Sequence, residues 1–280
     1  MTARVALVTG SSTGIGAALC RELARRGVRV FATARRIDAL APLAAAGIDT
    51  LALDVNDDAA IAAAMAHVEA AAGRLDLLVN NAGFSQVGAV VDLTRDDLRA
   101  QYETNVIAPV AVVRAALPLL RAAVAHEGHA VLANVGSIVG LFTTHFAGAY
   151  CSSKAAIHSL TDALRMELAP FGIRVVSVQP GGVRSAFGDA AQARIRLPGD
   201  SLFGGVTEGI RNRAQAGQQG AMPAEIFVVP VVDALLAAHP PAVVRAGTNS
   251  TRLPLLKALL PRARFDAMLS KRFGLTRLEP

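Results

Sequence analysis

Near its start the chain carries a short apolar run, Val5-Ala-Leu-Val8, that leads into a glycine-rich turn, Thr9-Gly10-Ser11-Ser12-Thr13-Gly14-Ile15-Gly16. A helical pattern begins directly behind it. This order narrows the possible folds sharply. A buried strand, a turn of glycines and a helix start bring backbone N–H groups and the positive end of a helix dipole to one point, and the missing side chains let a phosphate come close. The glycine spacing here, three residues and then one, departs from the familiar G-x-G-x-x-G, so the position behind a strand carries the inference. Gly10, Ser12, Thr13, Gly14, Ile15 and Gly16 are therefore candidates to cradle the pyrophosphate of a dinucleotide.

The same alternation continues along the chain. Residues 4–8, 28–32, 49–53, 75–80, 130–135 and 175–179 read as strands, rich in Val, Leu and Ile and poor in polar alternation, as parallel strands covered on both faces require. Residues 15–26, 57–72, 94–125 (with a break near Asn105) and 150–168 show helical spacing, with Gly27, Gly73 and Gly172 as C-cap signals. Periodicity fades between 181 and 220, where 186–220 is expected to form a mobile substrate segment with one helix at 202–215. A helix at 222–238, a last strand at 242–246 and a C-terminal extension at 251–280 complete the pattern. Together these predict one α/β domain over residues 1–280, a doubly wound parallel sheet with right-handed crossovers.

Composition removes other classes. With 52% hydrophobic and 18% charged residues the chain is not disordered, and 280 residues can bury roughly 70–75% of their surface. Two cysteines, Cys20 and Cys151, make no disulfide framework and show no metal-ligand spacing. No metal site is expected, and a reducing, cytoplasmic location is. The net charge of +6 invites nucleic acid, but the basic residues are scattered, aromatics are 4% and Trp is absent, so stacking platforms for single strands are scarce and no nucleic-acid partner is expected. No uninterrupted apolar stretch reaches 18 residues, and the N-terminal run is too short for a signal peptide. The basic, apolar C-terminus could lie on a membrane surface, but Pro254 and Pro261 break it into short pieces, and packing against the pocket or a neighbouring subunit is expected instead.

Chemistry-bearing residues fall at the ends of these elements. Asn80-Asn81-Ala82-Gly83 follows the fourth strand, Asn105 stands at the helix break, Ser137 lies two residues beyond the fifth strand, and Pro180-Gly181 follows the sixth. Tyr150 and Lys154 are four residues apart, on one face of one helix. A phenol with a pKa near ~10 is a poor base at neutral pH, and a nearby ammonium is expected to favour its ionised form; three units of depression correspond to about 4 kcal/mol, expected from the Lys154 ammonium together with an oxidised, cationic nicotinamide in a partly dry site.

With the turn at 9–16, these motifs resemble the short-chain dehydrogenase/reductase superfamily over roughly residues 3–190. The resemblance implies a Rossmann-type fold and an enzyme of alcohols and carbonyls. It makes Tyr150 the general acid/base, Ser137 the group that holds the substrate carbonyl, Lys154 a ligand of the nicotinamide ribose as well as Tyr150's partner, and Asn105 the holder of a water that links Lys154 to solvent. It also implies that Asp54 and Val55 flank the adenine, that Asn81, Ala82 and Gly83 lie along the adenosine ribose, with Asn81 largely structural, and that Pro180, Gly181, Val183 and Ser185 meet the nicotinamide. Serine at 185 replaces the usual threonine.

The second strand ends Phe31-Ala-Thr-Ala-Arg35-Arg36. An acidic residue here would hold the ribose hydroxyls of NAD. Ala34 removes that anion, and Arg35 with Arg36 offers guanidinium groups to a 2′-phosphate, so NADP(H) is expected over NAD(H). The expected activity is hydride transfer between a secondary alcohol and a ketone or aldehyde. The expected pocket draws on Val139–Phe146, Phe84 and Phe187 and takes a hydrophobic small molecule. His145 and Phe146 are expected to line it, and Cys151 to be a packed thiol. A ketoacyl-thioester reductase and a non-catalytic dinucleotide-binding regulator remain as alternatives. The family's habit implies a homodimer or homotetramer.

Overall fold

Every strand from β1 to β7 runs in the same direction, in the order β3-β2-β1-β4-β5-β6-β7. The computed structural model describes residues 3–278. In chain order the elements are β1 (Val5–Val8), α1 (Gly14–Arg25), β2 (Arg29–Ala34), α2 (Ala41–Ala44), β3 (Asp49–Ala52), α3 (Asp58–Ala72), β4 (Leu77–Asn80), α4 (Arg95–Tyr102), α5 (Ala108–Glu127) and β5 (Ala130–Val135). The remainder are α6 (Gly148–Leu168), β6 (Ile173–Pro180), α7 (Phe187–Gln192), α8 (Thr207–Gln215), α9 (Ala224–Leu236), β7 (Val243–Ala246), α10 (Arg252–Leu259) and α11 (Arg262–Arg272). The chain winds outward through β2 and β3, then returns to lay β4 beside β1. That reversal opens a crevice at the carboxyl ends of β1 and β4, where such sheets bind ligands.

Strand β1 shows why the pattern lacks polar alternation. All four of its residues are buried. Ala6 and Val8 pack with α1, α2 and α9, whereas Val5 and Leu7 pack with α3 and α5. Successive side chains point to opposite faces, so a sheet covered on both sides needs apolar residues at every position. Local signals fix the helix ends. The Asp57 carboxylate accepts the N–H groups of Ala59 and Ala60 at the start of α3, and Gly73 closes that helix in the left-handed conformation. Thr94 and Asp97 form a reciprocal capping box on α4.

The expected break near Asn105 is a single π-helical turn, Glu103–Ile107, inside a continuous helical rod. Pro109 explains it: having no N–H, it cannot serve the carbonyl of Asn105 four residues earlier, and the ladder shifts register. The rod Arg95–Glu127 is long and apolar enough to cross a membrane by length and composition alone. Its apolar face is spent on the sheet, with Val112, Val113, Ala116, Leu119 and Leu120 all buried there.

Three expectations need correction. Strand β2 runs on to Ala34 rather than ending at 32, which places Arg35 directly at its carboxyl end. The helix expected at 202–215 exists only from Thr207, because Gly204-Gly205 favours a tight turn and leaves Leu202 exposed. The 186–220 segment also holds α7, which weak periodicity hid. A third apolar cluster, separate from the two sheet faces, joins Val87, Ile138, Phe142, Phe146, Ile210, Phe265, Leu269 and Phe273. It ties α8 and α11 down over the carboxyl end of the sheet.

Candidate active site

The glycine turn and the Asn81–Gly83 segment interlock at the switch point. The Asn81 side-chain amide donates to the carbonyls of Thr9 and Gly10 at 2.8 and 2.9 Å. Thr9 Oγ1 accepts the N–H groups of Asn81 and Ala82, both at 3.0 Å. Asn81 is thus a brace between β1 and β4, as expected. Gly16 lies so close to the Gly10 carbonyl and the Asn81 amide that any side chain would collide, and Gly14 holds a φ of +57° with Ser185 against it. Ser12 and Thr13 stand exposed at the start of α1, and the Thr13 side chain caps none of its N–H groups. Those groups remain open to an anion.

Around this crevice the remaining candidates gather. Arg35 is exposed and has no ion-pair partner among the described residues, whereas Arg36 lies 3.5 Å from Asp38. Asp54 follows β3 and takes the N–H of Asn56 at 3.0 Å, with Val55 buried beside it. Pro180 ends β6, and the Gly181 N–H continues its pairing to Ala246. Val183 is buried, and Ser185 Oγ takes the N–H of Phe187 at 3.3 Å.

The catalytic candidates meet on one side of α6. Lys154 is 5% exposed, and its ammonium makes one hydrogen bond, to the carbonyl of Val135 at 2.7 Å. Among the described residues no carboxylate lies within ion-pair reach of it. A buried ammonium with two unused donors is costly unless oxygen acceptors complete its shell. Burial lowers its pKa to about 8. Asn105, 1% exposed, is held by three bonds: its carbonyl oxygen takes the Phe84 N–H at 3.1 Å, and its amide donates to the Phe84 carbonyl and Ser153 Oγ at 3.0 and 3.1 Å. A methyl on Gly83 would approach Asn105 Oδ1 at 3.1 Å and the Lys154 ammonium at 3.8 Å. Ser137 and Tyr150 lie within hydrogen-bonding reach of each other, and the Tyr150 ring packs on Phe187 with centroids 5.5 Å apart.

At Tyr150 burial and charge act in opposite directions. Lys154 shares the helix face with Tyr150, but its ammonium is 5.8 Å from the ring centroid and turned toward Val135. Burial dominates and pushes the phenol up to about 12. Ser137, through its hydrogen bond, and the charge of Arg213 pull it down. In these surroundings Tyr150 rests as a neutral phenol near pH 7, the form that can donate a proton. The pocket expectation also needs revision. Phe142 and Phe146 are buried, stacked edge-on against Phe265 and Phe203. His145 bonds Ser270 on α11 at 3.1 Å. All three brace the cover. Phe187, Leu141 and Val139 remain partly exposed beside the site. Cys151 is a buried thiol, as expected.

Sequence reading missed several participants. Thr9 and Ser153 serve as local hydrogen-bond hubs, and Arg194 stacks over Phe84 with its guanidinium carbon 4.4 Å from the ring centroid. Arg213 reaches back from α8 to bond Thr144 Oγ1 at 2.6 Å. The dinucleotide fits these observations: open N–H groups at α1, a turn whose Gly10, Gly14 and Gly16 pack too tightly against Ala82, Ser185 and Asn81 to carry side chains, and an under-coordinated ammonium beside Gly83.

Comparison with known proteins agrees. The sequence profile described as short chain dehydrogenase matches residues 4–195. A short-chain dehydrogenase of Penicillium ochrochloron is 33% identical, with 99% of this chain and 100% of that protein covered. An NADPH-dependent 3-dehydrocapnine reductase of Ornithobacterium rhinotracheale is 29% identical over 96% of each chain. The solved structure of a short-chain dehydrogenase from Streptomyces avermitilis superposes with a TM-score of 0.79 at 30% identity, covering 99% of this chain and 98% of that one.

Proposed function

Because this chain belongs to the short-chain dehydrogenase family, we propose that it is an NADP(H)-dependent oxidoreductase that interconverts a secondary alcohol with a ketone or aldehyde on a hydrophobic small molecule, with Tyr150 as general acid/base. The observation that carries this reading is the buried, singly bonded Lys154 ammonium beside a Tyr150–Ser137 pair at the carboxyl edge of the sheet, beyond β5. The bound nucleotide supplies the hydride in reduction and accepts it in oxidation. Lys154, with two donors to spare, holds ribose hydroxyls. The Ser137 hydroxyl donates to the substrate carbonyl oxygen and sets it against Tyr150. As hydride reaches the carbonyl carbon, the Tyr150 hydroxyl gives its proton to the oxygen, and the alcohol leaves. A neutral phenol at working pH is the form that reduction needs.

The cofactor preference rests on Ala34 and the unpaired Arg35 at the end of β2. The relative named as NADPH-dependent supports it. Substrate character rests on Phe187 against the Tyr150 ring and on Leu141 and Val139 nearby. A panel of apolar ketones, aldehydes and polyols, followed by nicotinamide absorbance with NADPH and with NADH, tests both points. Expected are turnover of apolar carbonyls and a kcat/KM ratio favouring NADPH, reduced roughly tenfold in Arg35→Ala. A wild type that prefers NADH, with NADPH use unchanged in Arg35→Ala, refutes the cofactor assignment.

A further inference from the structure

The mechanism above leaves one polar group next to the reacting atoms unused. His158 lies on α6 one turn beyond Lys154, and its Nε2 accepts the backbone N–H of Ser137 at 3.3 Å. An accepting Nε2 carries no proton, so in the neutral ring the proton sits on Nδ1. Nδ1 is buried and has no hydrogen-bond partner among the described residues. The ring is seated between two glycines that bracket the serine. A side chain on Gly136 would collide with Nε2, and one on Gly140 would come within 2.6 Å of Cε1. The spacing Gly136-Ser137-x-x-Gly140 therefore makes a slot for an imidazole, and among the described residues the imidazole's one hydrogen bond is to the serine backbone.

We propose that His158 is a positioning residue for the reaction: its neutral imidazole anchors the Ser137 N–H and so aims the Ser137 hydroxyl at Tyr150 and the substrate oxygen. This rests on the oxidoreductase reading of the same site. The groups that face the ring are Lys154 and Asp162 on α6 and Arg245 on β7, whose Nε is held by Gln179 at 2.8 Å. Burial, then Lys154 and Arg245, disfavour the imidazolium, and Asp162 favours it; the balance lowers its pKa to about 4. Protonation would turn the acceptor into a donor facing another donor, release Ser137 and reduce kcat on the acid side.

Two variants separate this role from filling space. In His158→Gln the amide oxygen sits as many bonds from Cβ as Nε2 does and accepts at every pH. In His158→Leu the volume stays and the acceptor goes. Expected for H158L at pH 7 is a kcat lowered roughly 10- to 100-fold with nucleotide Kd unchanged, while H158Q stays within about threefold of wild type and lacks the acid-side loss. Because His158 acts through Ser137, H158L added to Ser137→Ala is expected to lower kcat by less than about twofold more. Equal kcat in H158L and wild type overturns the proposal, as does the same fold-loss in both backgrounds. Should H158L fail to fold, the H158Q profile decides, and an acid limb identical to wild type overturns it. Imidazole ¹⁵N shifts read the tautomer without any turnover. An Nε2–H ring refutes the anchor itself, whereas an Nδ1–H ring in a protein that turns over no carbonyl counts against the oxidoreductase reading instead.

Discussion

The carboxyl edge of the sheet and the cover above it are built by different forces. At the edge, position is set by hydrogen bonds among buried groups: Asn81 to Thr9 and Gly10, Asn105 to Phe84 and Ser153, Lys154 to Val135. The cover of α7, α8 and α11 is held mainly by apolar contact, Phe142 on Phe265 and Phe146 on Phe203, with a few polar ties such as His145–Ser270 and Arg213–Thr144. Hydrogen bonds fix direction, and apolar burial fixes only proximity. The edge is thereby held in fixed directions, whereas the cover is held close with more freedom in how its parts are oriented. Substitutions at the edge should abolish turnover without unfolding the protein. Substitutions in the cover should loosen the structure while leaving the chemistry intact.

The largest effect belongs to Tyr150→Phe. Removing the hydroxyl deletes the proposed proton donor but keeps the ring that packs on Phe187. General acid catalysis contributes roughly 10²- to 10⁴-fold, so kcat/KM for any good carbonyl substrate should fall by that range. Nucleotide affinity, read by quenching or protection of nicotinamide fluorescence, should change little, and thermal stability should stay within a few degrees. Undiminished turnover would remove the phenol from the mechanism and the distinction between edge and cover with it.

Phe265→Ala makes the opposite case. Phe265 is 1% exposed and is the centre of the cluster that docks α11. Emptying that site should cost about 3–5 kcal/mol, which is roughly 6–12 °C in Tm if the whole chain melts together. Protease cleavage confined to residues beyond 251, with the remainder stable, would show instead that the extension opens on its own. In either case kcat on a small carbonyl that does not need the cover should drop less than in Tyr150→Phe. Equal losses in both variants would mean that the cover helps set the reacting geometry.

What could be read in the sequence follows the same division. Tyr150 and Lys154 lie on one helix, and their shared face follows from spacing alone. The glycine turn and the strand ends are equally local. Pro109, four residues beyond Asn105, carried the signal for the π turn. Contacts across long stretches of chain were not readable. Phe142 and His145 looked like pocket lining because nothing in periodicity shows that Phe265 and Ser270 return to cover them. The seat of His158 had a trace in Gly136 and Gly140, but a glycine records only that something is near, not what. The electrostatics were legible only in part, for a related reason. Spacing placed Lys154 beside Tyr150 correctly, yet could not show the ammonium turned to Val135, nor the depth of burial that raises the phenol.

Arg213 joins the two regions and offers the finest test of them. Its guanidinium belongs to the cover, bonds Thr144 between Ser137 and Tyr150, and lowers the Tyr150 pKa by its charge. Arg213→Leu keeps much of the apolar stem and removes that charge. The phenol's pKa should then rise further, so the neutral, proton-donating form persists to higher pH. Reduction should hold its rate further into the alkaline range. Oxidation, which needs the phenolate, should slow by roughly two- to fivefold at a fixed alkaline pH, the scale of one partly screened charge interaction. The ratio of oxidation to reduction rates against pH checks this in one series, with wild type and variant compared at constant ionic strength. A ratio that moves only in substrate KM, with both pH limbs unmoved, would assign Arg213 to the cover alone.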